Sequence, residues 1–297
     1  MAPAPRAGES RVSQRLRRSQ RIAAMVKMLL DEPGALVPLG RFADALGAAK
    51  STISEDLALV RDTFQQLGLG VVETVAGAAG GVRYHPRLSA ERMRELLEGL
   101  SRTLSSADRL LPGGFVYMTD IVFSPRWSAR IGEAFATVFA EAGAQAVVTV
   151  ETKGIPLAMA TARSLNLPLV VCRRDSRVTE GTAVSITYVS GSSRQISTMS
   201  LARRAMSPGS RVLLIDDFLK GGGTARGMAD LMAEFEAEPV GMGVLVATRE
   251  PRQRLIGGFV PLVWLEAADE AARVVRVVPN EALLDPDGHR PEGGWRP

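Results

Sequence analysis

Ile22, Met25, Val26, Leu29 and Leu30 recur at the three- and four-residue spacing of one helix face, and Asp31-Glu32-Pro33-Gly34 ends the run. Leu39 to Leu46 supports a second, shorter helix with Gly47 as its break. Thr52-Ile53-Ser54-Glu55 fits a capping box, so the spacing predicts a third helix starting there. Ile53, Leu57, Val60 and Phe64 fall on one face of it, which leaves Lys50, Ser51, Thr52, Ser54 and Glu55 near the other face or the N-terminal end. Val71 to Val75 and Val82 to Tyr84 then read as strands on either side of the turn Gly77-Ala78-Ala79-Gly80-Gly81. A helix-turn-helix followed by a hairpin is the layout of a winged helix.

Beyond it the pattern changes twice. Leu88 to Leu104 has helical spacing with Arg92, Arg94 and Arg102 on its polar side and is expected to be a linking helix within a polar connector, 86–110. From Leu111 onward, short apolar runs alternate with helical stretches: Ala146 to Val150, Leu167 to Cys172, Val212 to Ile215, Val240 to Ala247 and Leu262 to Leu265. That alternation predicts an α/β domain with a mainly parallel sheet covered by helices on both faces. The expected organisation is a winged helix-turn-helix domain over 11–85, an α/β domain over 86–280 and a loose Pro- and Gly-rich tail over 281–297.

A chain of 297 residues, 46% hydrophobic and 23% charged, agrees with two domains that each bury a core. No apolar run is long enough to cross a bilayer, and the Arg-rich start lacks the apolar core of a signal peptide, so the expected location is the cytoplasm. Cys172 is the single cysteine and lies in an apolar run, where a buried structural thiol is expected. His85 and His289 are the only histidines, and no Cys or His cluster has metal-ligand spacing, which disfavours zinc chemistry and a Ser-His-Asp hydrolase. No metal site made by protein side chains alone is expected.

The formal charge of +4 is unevenly placed. Arg6, Arg11, Arg15, Arg17, Arg18, Arg21 and Lys27 stand against Glu9 alone in the first thirty residues, and the remainder is slightly acidic. A basic end on a near-neutral body points to an anionic polymer as partner. Residues 1–10 read as a solvated leader. Arg15, Arg17 and Arg18 join Lys50, Ser51, Thr52 and Ser54 of the third helix, and Arg83 of the hairpin, as candidate contacts to double-stranded DNA. Glu55 and Asp56 are unwelcome near phosphates, and would accept from cytosine amino groups or orient a neighbouring Arg. Small three-helix units also serve as dimerisation or docking modules, and these residues leave that alternative open.

Ligands of an open α/β sheet sit beyond the carboxyl ends of the strands, and three loops qualify. In the first, Asp216 and Asp217 can accept hydrogen bonds from two vicinal hydroxyls, while amides of Lys220, Gly221, Gly222, Gly223 and Thr224, with the Thr224 hydroxyl, can surround a phosphate at a helix start. The second, Glu151-Thr152-Lys153-Gly154, offers amides and one ammonium to another anion, with Pro156 suited to the first turn of the following helix. Arg173-Arg174 adds cationic donors after a third strand. Together they imply a ribose with phosphates at both ends. A Walker-B reading of Asp216-Asp217 would need a GxxxxGK[ST] loop, which the chain lacks.

Val212 to Thr224, four hydrophobic residues, two acidic ones and a short loop ending Gly-Gly-Thr, resembles the phosphoribosyl pyrophosphate (PRPP) signature of type I phosphoribosyltransferases. The chain as a whole resembles the purine operon repressors of Gram-positive bacteria. The shared blocks are Ala49 to Leu57, the wing Ala76 to Val82, Leu111-Pro112-Gly113-Gly114, Thr152 to Ala158, Val178-Thr179-Glu180-Gly181, Tyr188 to Ser193 and Thr198 to Ala202. They run in order through roughly residues 15 to 280.

That resemblance implies a dimeric transcription factor acting at purine genes and sensing PRPP through a phosphoribosyltransferase-like domain. Asp216 and Asp217 would hold the ribose hydroxyls, Lys220 to Thr224 the 5-phosphate, and Thr152, Lys153 and Gly154 with Arg173 the pyrophosphate, together with a magnesium ion. Tyr188 to Ser200 would correspond to the mobile loop of the enzymes. The chain departs from the family in Gly221, where Ala is usual, and in Ala76, where Pro is common. Enzymes of this fold often carry Ala, or in some members a carboxylate able to act as general base, where Lys220 stands; this favours binding without turnover. An active purine phosphoribosyltransferase with an appended nucleic-acid-binding domain is the alternative.

Overall fold

The structure, a computed structural model, describes residues 16–77, 80–174, 181–189 and 196–284. It divides into two compact units, Met1–His85 and Pro86–Pro297.

In the first unit, helices α1 (Arg18–Asp31), α2 (Leu39–Leu46) and α3 (Lys50–Gln66) pack on a three-stranded antiparallel sheet of β1 (Leu36–Pro38), β2 (Val71–Val75) and β3 (Gly81–His85), in the order β1-β3-β2. Gly47, in the left-handed conformation, closes α2 and turns the chain into α3. Met25, Phe42, Ile53, Val60 and Phe64 are buried in the shared core, and Phe64 meets the Tyr84 ring edge-on at 5.5 Å. This is a winged helix.

Two expectations are corrected here, and one strand is added. Helix α3 starts at Lys50 rather than at Thr52: Ala49 is its cap residue, no side chain caps it, and Ile53 N–H already donates to the Ala49 carbonyl at 3.0 Å. Nothing between Gly47 and Thr52 breaks a helix, so Thr52 and Glu55 lie inside the first turns and do not form the capping box. Leu30 is 40% exposed, because only the Met25 and Leu29 side of α1 faces the core. Strand β1 is a third member of the wing sheet, Leu36 to Pro38 pairing with Arg83 to Gly81.

The second unit opens with α4 (Ala90–Leu104), a short hairpin of β4 (Leu110–Leu111) and β5 (Phe115–Val116), then α5 (Thr119–Val122) and α6 (Pro125–Val138). The sheet follows: β6 (Ala146–Val150), α7 (Gly154–Leu165), β7 (Leu169–Cys172), β10 (Arg211–Leu219), α8 (Gly223–Glu234), β11 (Glu238–Thr248), β12 (Phe259–Asp269) and β13 (Val274–Pro279). Between β7 and β10 lies a separate antiparallel pair, β8 (Ala183–Val189) and β9 (Ile196–Ala202). Strand order is β13-β12-β11-β10-β6-β7, parallel throughout except for β12 with β13. Alternation along β10 sends Leu213 and Ile215 into a core shared with α4, α6 and α7, while Val212 and Leu214 join α8 on the other face.

Strand β10 is longer than its apolar run. Parallel pairing with β11 persists to Leu219 opposite Ala247, so Asp216 and Asp217 lie within a strand rather than after it. Helix α4 is more than a link: Met93, Leu96, Leu97, Leu100 and Leu104 are buried in the core of this unit. Ser105 at its end receives Val277 N–H through its hydroxyl at 2.9 Å, fixing α4 to β13. Residues 281–284, expected to begin a loose tail, form a 3-10 turn (Glu281–Leu283), with Leu283 and Leu284 packed on the core. Within Tyr188 to Ser200, expected to be a mobile loop, residues 188–189 and 196–200 are strand, and 190–195 lie outside the described residues, as do Val178 to Glu180 and His289. Cys172 is buried, and burial pushes its thiol up to about 12. Among the described residues no helix is long and apolar enough to cross a membrane.

Candidate functional site

Strand β10 sits between β6 and β11, so its carboxyl end reaches the middle of the sheet edge. Asp216 is 5% exposed, and its Oδ1 accepts the Asp217 N–H at 2.9 Å. Burial, with the neighbouring Asp217 charge adding to it, pushes the Asp216 carboxyl well above the usual carboxylate range. Asp217 is half-buried and Lys220 exposed. Gly222 takes the left-handed conformation, φ 83°, at the head of α8, and no side chain caps that helix. A glycine is required there twice over, because a Cβ would also press on Cγ2 of Ile256 at 3.1 Å. The first-turn amides of α8 therefore face a cavity lined by Asp216, Phe218, Leu219, Lys220, the three glycines, Thr224 and Ala225. Uncapped amides at a helix N-terminus attract an anion.

The second loop meets the first. The Glu151-Thr152 peptide is cis, Thr152 and Lys153 are exposed, and α7 begins at Gly154 with no side-chain cap. A Cβ on Gly154 would collide with Oγ1 of Thr149 and lie 3.3 Å from Oδ1 of Asp216, so only glycine lets the head of α7 close on β10 at Asp216. The buried Thr149 hydroxyl has no hydrogen-bond partner among the described residues. Arg173 joins from β7: its N–H and carbonyl exchange 2.9 Å bonds with Ser200, and Nη1 stands 3.9 Å from Oε1 of Glu151. Arg174 donates Nε–H to the Glu151 carbonyl at 2.9 Å and its backbone N–H to Oε2 at 3.2 Å. All three expected loops thus come together at one edge, with Glu151 as a tie that sequence reasoning missed.

Also missed was the segment between β11 and β12. Arg254 donates Nε–H to the Lys220 carbonyl at 3.1 Å, and Leu255 N–H donates to the Gly221 carbonyl at 3.1 Å. Arg254 Nη2 further donates to the carbonyls of Thr248 and Arg249. These bonds turn the carbonyls of Lys220 and Gly221 toward the brace.

In the first unit, Lys50, Ser51 and Ser54 are exposed on α3, and Thr52 is half-buried. Arg17 is exposed at the head of α1. Arg18 and Arg21 both bind Asp56, the first through Nε to Oδ1 at 2.9 Å and the second through Nη2 to Oδ2 at 2.8 Å. Of the two roles open to Asp56, orienting an Arg is the one its geometry matches. Arg83 is half-buried on the middle strand, paired in register with Glu73, so it is less open than a phosphate contact at the wing tip would be. Arg15 lies outside the described residues.

Residues 17–86 match the family described as "Bacterial purine repressor, N-terminal", and residues 119–266 match the "Phosphoribosyl transferase domain" family. The chain is 46% identical over 263 residues to the purine biosynthesis transcriptional repressor PurR of Bacillus subtilis, covering 89% of this chain and 92% of that one. It is 36% identical over 262 residues to the purine biosynthesis transcriptional activator PurR of Lactococcus lactis, covering 88% and 97%. A xanthine phosphoribosyltransferase of L. lactis shares 37% identity over 161 residues, 52% of this chain and 82% of that one. Among solved structures, an adenine phosphoribosyltransferase of Thermoanaerobacter pseudethanolicus matches with a TM-score of 0.50 at 19% identity, over 57% of this chain and 99% of that one, which shows the fold of the second unit.

Proposed function

We propose, from the premise that this chain belongs to the bacterial purine repressor family, that it is a cytoplasmic, homodimeric, DNA-binding regulator of purine biosynthesis genes whose second unit senses PRPP. The observation that carries the effector reading is the closure of Gly154 on Asp216, which joins two uncapped helix N-termini into one double-anion site. Asp216 and Asp217 accept from the ribose hydroxyls. Lys220 and the amides of Gly221, Gly222, Gly223 and Thr224 take the 5-phosphate, and Thr152, Lys153, Gly154 and Arg173 take the pyrophosphate. No group of three or more acidic, His or Cys side chains able to hold a metal occurs among the described residues. A magnesium ion bound with the effector would supply charge compensation for the pyrophosphate.

In the first unit, Arg15, Arg17 and Arg18 take DNA phosphates, and Lys50, Ser51, Thr52 and Ser54 of helix α3 meet base edges. Bound PRPP lowers DNA affinity because it adds negative charge to a protein whose DNA binding is driven by counterion release. Repression is the direction proposed, because the more similar relative is named a repressor, although the L. lactis relative is named an activator.

Retention of the chain's own purine-gene control region, titrated with PRPP, tests the effector site. Wild type is released, and Asp216→Ala/Asp217→Ala is retained. Equal release of both would place the effector elsewhere. A second reading, an active phosphoribosyltransferase, draws on the xanthine phosphoribosyltransferase relative. Binding without turnover is preferred because Lys220, while charged, cannot act as a general base. Pyrophosphate release from PRPP in the presence of xanthine, hypoxanthine, guanine or adenine would reverse that preference.

A further inference from the structure

Asp56 places a carboxylate in the helix proposed to meet DNA, where Coulomb repulsion from phosphates works against binding. Its surroundings give it another use. Asp56 is 1% exposed, and both its oxygens are taken by α1: Oδ1 by Nε of Arg18 at 2.9 Å, Oδ2 by Nε of Arg21 at 2.8 Å. Arg21 is sealed in, its side chain 15% exposed and its Nη1–H donating to the Leu16 carbonyl at 3.0 Å. Arg18 is not sealed: its side chain is 56% exposed, and the bond to Asp56 uses Nε–H alone. Because a guanidinium is planar, fixing Nε fixes the direction of both Nη groups.

Helical spacing sets where those groups stand. Asp56 lies one turn beyond Thr52 on the same edge of α3, so Arg18 is held alongside the first two turns of that helix. A buried ion pair is weak evidence for stability, since its desolvation offsets much of the attraction. Direction is what this one supplies.

We propose that Asp56 is a positioning residue for DNA binding: it locks the head of α1 to α3 through Arg21 and aims Arg18 at a backbone phosphate beside the recognition helix. The proposal rests on the DNA-binding reading of the first unit, and the test separates the two.

Labelled duplex from the chain's own purine-gene control region is titrated with full-length protein at several salt concentrations. Simple charge arithmetic predicts tighter binding for Asp56→Asn, which removes a negative charge. Positioning predicts roughly three- to tenfold weaker binding, the scale of one misdirected phosphate contact, and a salt slope reduced by about one. In an Arg18→Ala background the Asp56→Asn change should cost less than it does in wild type. Asp56→Asn binding as tightly as wild type or tighter, while Arg18→Ala and Lys50→Ala weaken binding, would overturn positioning and leave the DNA reading standing. Unchanged binding in Arg18→Ala and Lys50→Ala would bring down both. If thermal melts show that Asp56→Asn does not fold, Asp56→Glu carries the test: it keeps the charge and displaces the carboxylate by one methylene, so weakened binding supports the proposal and unchanged binding refutes it.

Discussion

Gly154, at the head of α7, lies so close to Asp216 of β10 that a Cβ there would stand 3.3 Å from the aspartate Oδ1 while striking the Thr149 hydroxyl. The proposed ribose site and pyrophosphate site therefore share a wall. Gly154→Ala should force α7 away from the strand, at a stability cost of about 1–3 kcal/mol for overpacking. Isothermal titration with PRPP should show affinity down at least about tenfold, the equivalent of 1.4 kcal/mol. DNA binding in the absence of PRPP should be unchanged. Unaltered PRPP affinity would mean that the two loops act separately.

Asp216 gives a pH signature. Its carboxyl is held above the ordinary value of 3.8, first by burial and then by the Asp217 charge. A carboxyl raised on folding favours the native state while protonated; that contribution is fully present below the unfolded value and is lost as pH rises through the folded one. Asp216→Asn removes the penalty. Thermal melts without effector should show Asp216→Asn above wild type by a few degrees at neutral pH, the gap narrowing as pH falls through the raised value toward 3.8. A gap that widened on acidification would contradict this electrostatic account.

Arg254 should matter to the effector and not to DNA. Its Nε–H bond to the Lys220 carbonyl holds the proposed phosphate loop from behind. Arg254→Ala frees that carbonyl to turn inward, and PRPP affinity should fall on the order of tenfold, about 1–2 kcal/mol for a charged donor lost. Arg254→Lys, with a point-like ammonium in place of the fork, should recover only part. Full recovery by Lys would show that charge alone suffices.

Lys50→Ala combined with Arg18→Ala should lower DNA affinity and flatten the salt dependence by about one in slope, for the phosphate contact that Arg18 makes. The PRPP isotherm should not move. Loss of PRPP affinity in this variant would point to damage beyond the DNA-facing surface.

The convergence of the three candidate loops was legible in the sequence because each joins an apolar run to glycine or charge at a place where a parallel sheet presents its carboxyl edge. The length of β10 was not, since Asp216 and Asp217 end the apolar pattern although pairing with β11 continues to Leu219. Strand β1 was hidden because three residues between Pro33 and the end at Pro38 carry too little alternation to register. The start of α3 was misplaced because Thr52 and Glu55 have the spacing of a cap, while the helix already begins at Lys50 with Ala49 as its cap residue. Arg254 left no local sign, since its partner Lys220 lies 34 residues away. In Asp56 the sequence displayed a charge conflict, and only the packing of α1 on α3 resolves it.

The seam between α4 and β13 bears on how the second unit can be handled as a fragment. Leu96, Leu97 and Leu100 share one core with Val275 and Val277, and Ser105 receives the Val277 N–H. The stretch matching the transferase family, 119–266, contains neither partner of that seam. A piece cut to those limits would expose the apolar side of β12 and lose the strand that borders it, which favours aggregation over folding. An independently expressible effector domain has to run from Pro86 through Leu284, its two ends closing the fold between them.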